Sequence, residues 1–228
     1  MSRPAAIDRS STVAQIVLEH AETAPVFQRN RIDFCCRGNV SVADACAGIG
    51  KDPEALLAEL EKAVAEGAGV PAGDDLRTFS TPALLARIVD RHHGYLRRAL
   101  PRIEPLLAKV AAVHGEHDPK LPGVRSAFAE LAGMLVPHLD FEEEVLFPEL
   151  STPVRGERAL EHLESMNADH LAVGATLARI RSLADDFATP DWGCNSYRAL
   201  MKELRDLEAD ILQHVHLENH VLMPRFRG

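Results

Sequence analysis

His138-Leu139-Asp140-Phe141-Glu142, followed by Val145-Leu146-Phe147-Pro148, returns 76 positions later as His214-Val215-His216-Leu217-Glu218, followed by Val221-Leu222-Met223-Pro224. Another histidine precedes each copy at nearly the same distance: His93 stands 45 positions before His138, and His170 stands 44 before His214. The chain therefore reads as two helix–helix units, each carrying His and then His-x-x-x-Glu. Residues four apart share one helix face, roughly 5–6 Å apart between Cβ atoms. His138 with Glu142, and His214 with Glu218, can thus point together into a bundle. A ligand level drawn from all four helices is the usual way to build a dinuclear metal site in such a fold.

Six side chains would serve two ions. If both glutamates bridge, each ion receives two imidazoles and two carboxylate oxygens, and a six-coordinate ion keeps exchangeable positions. A structural zinc site is instead closed, commonly by four ligands and often by thiolates. Mixed imidazole and carboxylate ligation suits iron or manganese, with zinc an alternative. Two carboxylates offset only part of the charge of two divalent ions, and an oxo or hydroxo bridge would offset more. Iron is the first choice because redox change has an obvious use there. The expected cofactor is two non-heme iron ions, oxo- or hydroxo-bridged, held by His93, His138, Glu142, His170, His214 and Glu218.

The bland alternative is that these are ordinary surface or core residues. In a chain with eleven histidines, one His-x-x-x-Glu arises readily by chance. Repetition of a helical hairpin would explain the apolar matches but not the repeated ligands. His92 competes with His93, and the spacing favours His93, which precedes His170 by 77 positions. Glu143 and Glu144 read as a solvated face or as acceptors for ligand histidines. His216 and His220 flank Glu218 two residues away, so they are expected to project from it into solvent. Tyr95 and Asn219 are candidate hydrogen-bond donors near the site. His20, His114, His117 and His162 have no partner in the pattern.

The 228 residues fit one large domain or two small ones. With 46% hydrophobic residues, 26% charged and few aromatics, the composition favours a helical globular protein. A net charge of −9 argues against nucleic acid as a partner. No apolar run approaches the roughly 20 residues of a membrane span, and Met1 to Ser11 lack the apolar core of a secretory signal. The expectation is a cytoplasmic protein with no membrane partner. Cys35, Cys36, Cys46 and Cys194 form no spaced framework, which fits reduced thiols.

Residues 1–70 read as a small N-terminal helical domain. Thr12 to His20 and Glu22 to Asn30 carry helical apolar stripes, Arg37-Gly38-Asn39 breaks the chain, Ser41 is an N-cap, and Asp52-Pro53 opens a helix. Gly67, Gly69, Pro71 and Gly73 make a linker. Residues 80–226 read as four long helices: from Thr81-Pro82, from about Val124 to Leu150, from about Arg155 to Phe187, and from Asn195-Ser196 to Pro224. Pro101 and Pro105 are expected to kink or end the first, and Pro137 to kink the second beside His138. Short connections suit an up-down-up-down bundle. The fold class is all-α.

Cys35 and Cys36 lie at the break between short helices. On residue type alone, burial as small hydrophobes is as good a reading as reactivity. Arg31 and Arg37 nearby are expected to lower the thiol pKa values and favour redox or metal chemistry, a thiol relay. Cys46 and Cys194 are expected to be structural.

Together these residues resemble the iron–sulfur cluster repair di-iron proteins, over nearly the whole chain. That family pairs an N-terminal domain bearing Asp-aromatic-Cys-Cys-Gly-Gly with a hemerythrin-like four-helix bundle. The run here is Asp33-Phe34-Cys35-Cys36-Arg37-Gly38. The family's ligand histidines match His93, His138, His170 and His214, its bridging glutamates match Glu142 and Glu218, and its closing stretch matches Leu217 to Arg225. Arg37 departs from the pattern, where a glycine is usual. The oxygen-carrying hemerythrins differ more. They have a second histidine four residues along the third helix and an aspartate in the fourth, where this chain has Met166 or Gly174 and Glu218. The resemblance implies repair of iron–sulfur clusters damaged by nitrosative or oxidative stress, by iron donation. The alternatives are a nitric oxide reductase or a diatomic-gas sensor of hemerythrin type. The implied partners are proteins with damaged clusters, and nitric oxide or dioxygen as small ligands. A homodimer is left open.

Overall fold

The computed structural model describes residues 7–67, 75–152 and 157–226. Helix is the regular secondary structure among them, the sole extended pairing being an isolated antiparallel bridge between Thr12 and Ser41. By its contacts the chain divides into Met1–Arg77 with Val215–Val221, and Thr78–His214 with Leu222–Gly228.

In the N-terminal unit, α1 (Val13–Glu19) starts at Thr12, whose hydroxyl caps Gln15 N–H. A 3-10 turn leads into α2 (Ala24–Arg29), with Pro25 in its first turn where no hydrogen bond is lost. α3 (Val42–Ile49) begins at Ser41, which accepts from Asp44 N–H at 3.1 Å, and ends on Gly50 with a left-handed φ of 67°. α4 (Pro53–Gly67) follows Asp52. Val13, Val17, Phe27, Phe34, Leu56 and Leu60 fill this unit's core. The break at Gly38 is steric. Its carbonyl accepts from Ala14 N–H at 2.8 Å, and a Cβ there would lie 2.3 Å from Phe34 O and 2.7 Å from Ala14 Cβ. The expected linker residues Gly69, Pro71 and Gly73 lie outside the described residues.

The bundle has four long helices: α5 (81–114), α6 (121–150), α7 (Glu157–Leu183) and α8 (195–222). α6 packs against both α5 and α7. α8 is tied to α5 by Arg102–Glu203 at 2.6 Å and to α7 by the part-buried Arg181–Glu208 pair. Leu96, Ile103, Phe128, Leu131, Leu177 and Leu204 are among its core side chains. None of the described helices is long and apolar enough to cross a membrane.

Two expectations about helix ends need correction. α5 does not end at Pro101 or Pro105 but continues through both. Both prolines face solvent while Leu100, Ile103, Leu107 and Val110 bury the opposite face, so water can satisfy the carbonyls they free. α6 likewise passes Pro137. The residue one turn back is Gly133, with open space where a side chain would be, which leaves room for the proline ring. α7 stops at Leu183 rather than Phe187. Asp185, Asp186 and Phe187 take left-handed φ of 46°, 56° and 60°. Phe187 turns inward, and its carbonyl accepts from Arg205 at 2.8 Å.

Candidate metal centre

Three of the four bundle helices widen into one π-helical turn at the level of the expected ligands: Val89–His93, Glu142–Leu146 and Glu218–Leu222. In the first, Gly94 N–H reaches back to Val89 O, and in the second Phe147 N–H reaches Glu142 O. Such a turn holds one extra residue and recurs at functional sites. Here His93 closes one wide turn, while Glu142 and Glu218 open the other two.

The structure brings all six expected residues together, every one buried. His93, Glu142, His214 and Glu218 offer ligand atoms within 4.8 Å of one another, and so do His138, Glu142, His170 and Glu218. Both glutamates belong to both groups. Glu142 shows why: its Oε2 is 3.3 Å from His93 Nε2, and its Oε1 is 3.3 Å from His138 Nε2. Glu218 follows His214 by four residues on the same helix. His93 Nε2 and His214 Nε2 face each other at 3.2 Å.

The donor set fits a cation. Glu142 is fully buried, yet among the described residues neither of its oxygens accepts a hydrogen bond. A buried carboxylate so placed is costly unless paired or metal-bound. The histidines that face it direct nitrogens at the same small volume.

Outer contacts orient the rings. His93 Nδ1 lies 2.9 Å from Glu143 Oε1, which also accepts from Arg97 at 3.0 Å. Burial works to raise the Glu143 pKa, but the hydrogen bonds from His93 and Arg97 outweigh it and hold the carboxyl below its usual value. An ionised Glu143 accepts the Nδ1 proton and leaves Nε2 for the cluster. His138 Nδ1 is 3.4 Å from Asp169 Oδ2. His92 is in neither ligand group. It stacks on His214 with ring centroids 5.5 Å apart and sets Nδ1 3.2 Å from Asp210 Oδ1. Burial lowers its pKa, with Asp210 opposing.

His216 and His220 do not project into solvent. His216 is buried with Nδ1 3.1 Å from Phe34 O, and His220 Nε2 is 2.9 Å from Cys35 O. Burial brings His216 down to about 4, with neighbouring His220 adding to the effect. Asn219 donates to Cys35 O at 2.9 Å. These acceptors are backbone carbonyls about 180 residues away, so the local spacing carried no sign of them. Tyr95 buries its hydroxyl and makes no hydrogen bond among the described residues.

Cys35 and Cys36 are free thiols with sulfurs 3.5 Å apart. Asp33 Oδ1 accepts from both their backbone N–H groups and from the Cys35 thiol. The three residues form a further group with metal-ligand spacing. The expected lowering does not hold for Cys35. Its hydrogen bond to Cys36, burial and the Asp33 charge push its pKa well up, and Arg31 and Arg37 are exposed. Cys46 is buried as expected, but Cys194 is exposed.

A four-helix bundle with a buried His/Glu cluster of this kind defines a hemerythrin-type metal-binding protein. Residues 84–226 match the Hemerythrin HHE cation binding domain, and residues 9–64 match ScdA_N, a domain of unknown function (DUF542). The chain is 31% identical over 224 residues to the iron-sulfur cluster repair protein ScdA of Staphylococcus haemolyticus, covering 96% of this chain and 99% of that protein. It is 28% identical over 217 residues to the iron-sulfur cluster repair protein YtfE of Yersinia pseudotuberculosis, covering 95% and 96%. This chain belongs to that family of two-domain, hemerythrin-type proteins.

Proposed function

We propose that the chain holds two non-heme iron ions, one between His93, His214 and the two glutamates and the other between His138, His170 and the same glutamates. We further propose that it repairs iron–sulfur clusters damaged by nitrosative or oxidative stress in the cytoplasm. The observation that carries this reading is the sharing of Glu142 and Glu218 between two otherwise separate histidine pairs. The names of the two relatives support repair as the task. Bound iron would supply redox change and exchangeable coordination positions. Glu143 and Asp169 hold Nδ1 of His93 and His138, and the bundle core keeps bulk water away. Iron taken from this site is the cargo of the repair step, and proteins with damaged clusters are the partners.

The test is reactivation of a purified [4Fe–4S] dehydratase inactivated by nitric oxide. Iron-loaded protein should restore its activity, and Glu218→Leu should not. Equal recovery with both would reject the proposal. Nitric oxide reduction is the second reading, favoured by the coordination positions that two imidazoles and two carboxylates leave open on each ion. Nitrous oxide formed catalytically, without cluster recovery, would select it.

A further inference from the structure

We propose that Cys194 is a separate modification site, an exposed thiol paired with His114 as its proton partner and open to oxidation by small hydroperoxides. Cys194 stands at the N-cap of α8: its carbonyl accepts from Arg198 N–H at 3.0 Å. His114, the last residue of α5, sets Nε2 3.1 Å from the sulfur. The site thus rests on a thiol–imidazole pair that the end of α5 and the start of α8 bring together, on an exposed sulfur.

The surroundings hold the pair in place and leave it open. Trp192 packs beside His114 with ring centroids 5.6 Å apart, and beside Tyr197 at 5.2 Å. His117 lies against the other reach of Trp192 at 5.8 Å. The Tyr197 hydroxyl donates to Asp118 at 2.8 Å, tying the start of α8 to the turn after α5. Cys194 is exposed, whereas Cys35 and Cys46 are buried. Backbone hydrogen bonding from Tyr197, then His114, brings the Cys194 pKa down to about 7, while the hydrogen bond to Cys36 and burial raise Cys35, and burial raises Cys46. Cys194 precedes His214 by 20 residues on α8, roughly 30 Å at 1.5 Å per residue. Its chemistry is therefore remote from the metal centre.

In the proposed step His114 holds the thiol proton. The sulfur attacks the terminal oxygen of a hydroperoxide, an S–O bond forms and the O–O bond breaks. Sulfur is oxidised by two electrons to a sulfenic acid and the peroxide is reduced to the alcohol, or to water from hydrogen peroxide. The leaving oxygen takes the proton from His114. A low-pKa, accessible thiol is the kind that enters this oxidation.

The test is peptide-resolved alkylation of the full chain by iodoacetamide at pH 7, against an unfolded peptide spanning residues 190–198. A thiol near pKa 7 is about half thiolate, against about 3% at an ordinary 8.5. Its lower intrinsic nucleophilicity takes back roughly fivefold, so Cys194 should react about threefold faster than the peptide. His114→Gln should remove that advantage with helicity and metal content unchanged. Hydrogen peroxide with dimedone should label Cys194 above the other three cysteines, and do so equally on metal-stripped protein. A rate at or below the peptide's, an unchanged rate in His114→Gln, or no dimedone adduct on Cys194 would overturn the proposal. If His114→Gln does not fold, the 240 nm thiolate titration of wild type minus Cys194→Ser decides. A midpoint near 7 supports the site, and one at or above 8.5 refutes it.

Discussion

Glu143 Oε1 lies 2.9 Å from His93 Nδ1, one residue beyond the glutamate that faces the ring's other nitrogen. Two adjacent glutamates on the π-helical turn of α6 thus address the two sides of one imidazole. Glu142 belongs to the buried cluster, and Glu143 orients the ring that reaches it.

That arrangement predicts the effect of Glu143→Gln. The amide cannot accept the Nδ1 proton as strongly, and the Arg97 contact weakens with it. Metal affinity should fall about tenfold, the lower end for such supporting contacts, with stoichiometry at saturation unchanged. Chelator competition measures the affinity, and an unaltered value would mean that Glu143 merely decorates the surface.

Metal removal should destabilise the fold. With metal at about 100 times its dissociation constant, the folded state gains about 2.7 kcal/mol. For a chain of this size that corresponds to roughly 5–10 °C in melting temperature. Calorimetry before and after chelation checks this, with metal content measured on both samples. The same Tm in stripped protein would count against a buried site that needs a cation.

At the Cys-Cys break, Gly38 and the exposed Arg37 should differ in how much a substitution costs. Gly38→Ala forces a methyl against Phe34 O and Ala14, and the overpacking should cost about 1–3 kcal/mol. Arg37→Gly changes an exposed side chain and should cost less than about 1 kcal/mol, chiefly through chain entropy. Urea unfolding followed by limited proteolysis before residue 64 separates the two.

The Arg181–Glu208 pair gives a fourth test. Glu208 is only 3% exposed and is held by bonds from the Arg181 guanidinium. Arg181→Met strands that charge and should cost about 3–5 kcal/mol. Adding Glu208→Leu should return most of the loss, because a matched apolar pair leaves no buried charge. A double mutant as unstable as the single would show that the helices need the ion pair itself.

The repeat of His-x-x-x-Glu made the all-α fold legible, because a 76-residue offset between matched helix segments leaves few other architectures. It also singled out the six residues that the structure brings together. What escaped the sequence came from contacts with no fixed spacing. His216 and His220 seemed solvent-facing because their partners, the carbonyls of Phe34 and Cys35, belong to another part of the chain. Cys194, expected to be structural, is exposed and lies 3.1 Å from His114, 80 positions away. The π-helical turns at the ligands were also hidden, since Pro101, Pro105 and Pro137 all lie outside them.

The most direct test of the account is metal analysis with a Mössbauer spectrum of full-length protein from iron-replete cells. The account predicts about two irons per chain, antiferromagnetically coupled, in wild type, with both lost from His138→Ala and Glu218→Leu. Zinc in place of iron, a single uncoupled iron, or no metal despite ample supply would contradict it.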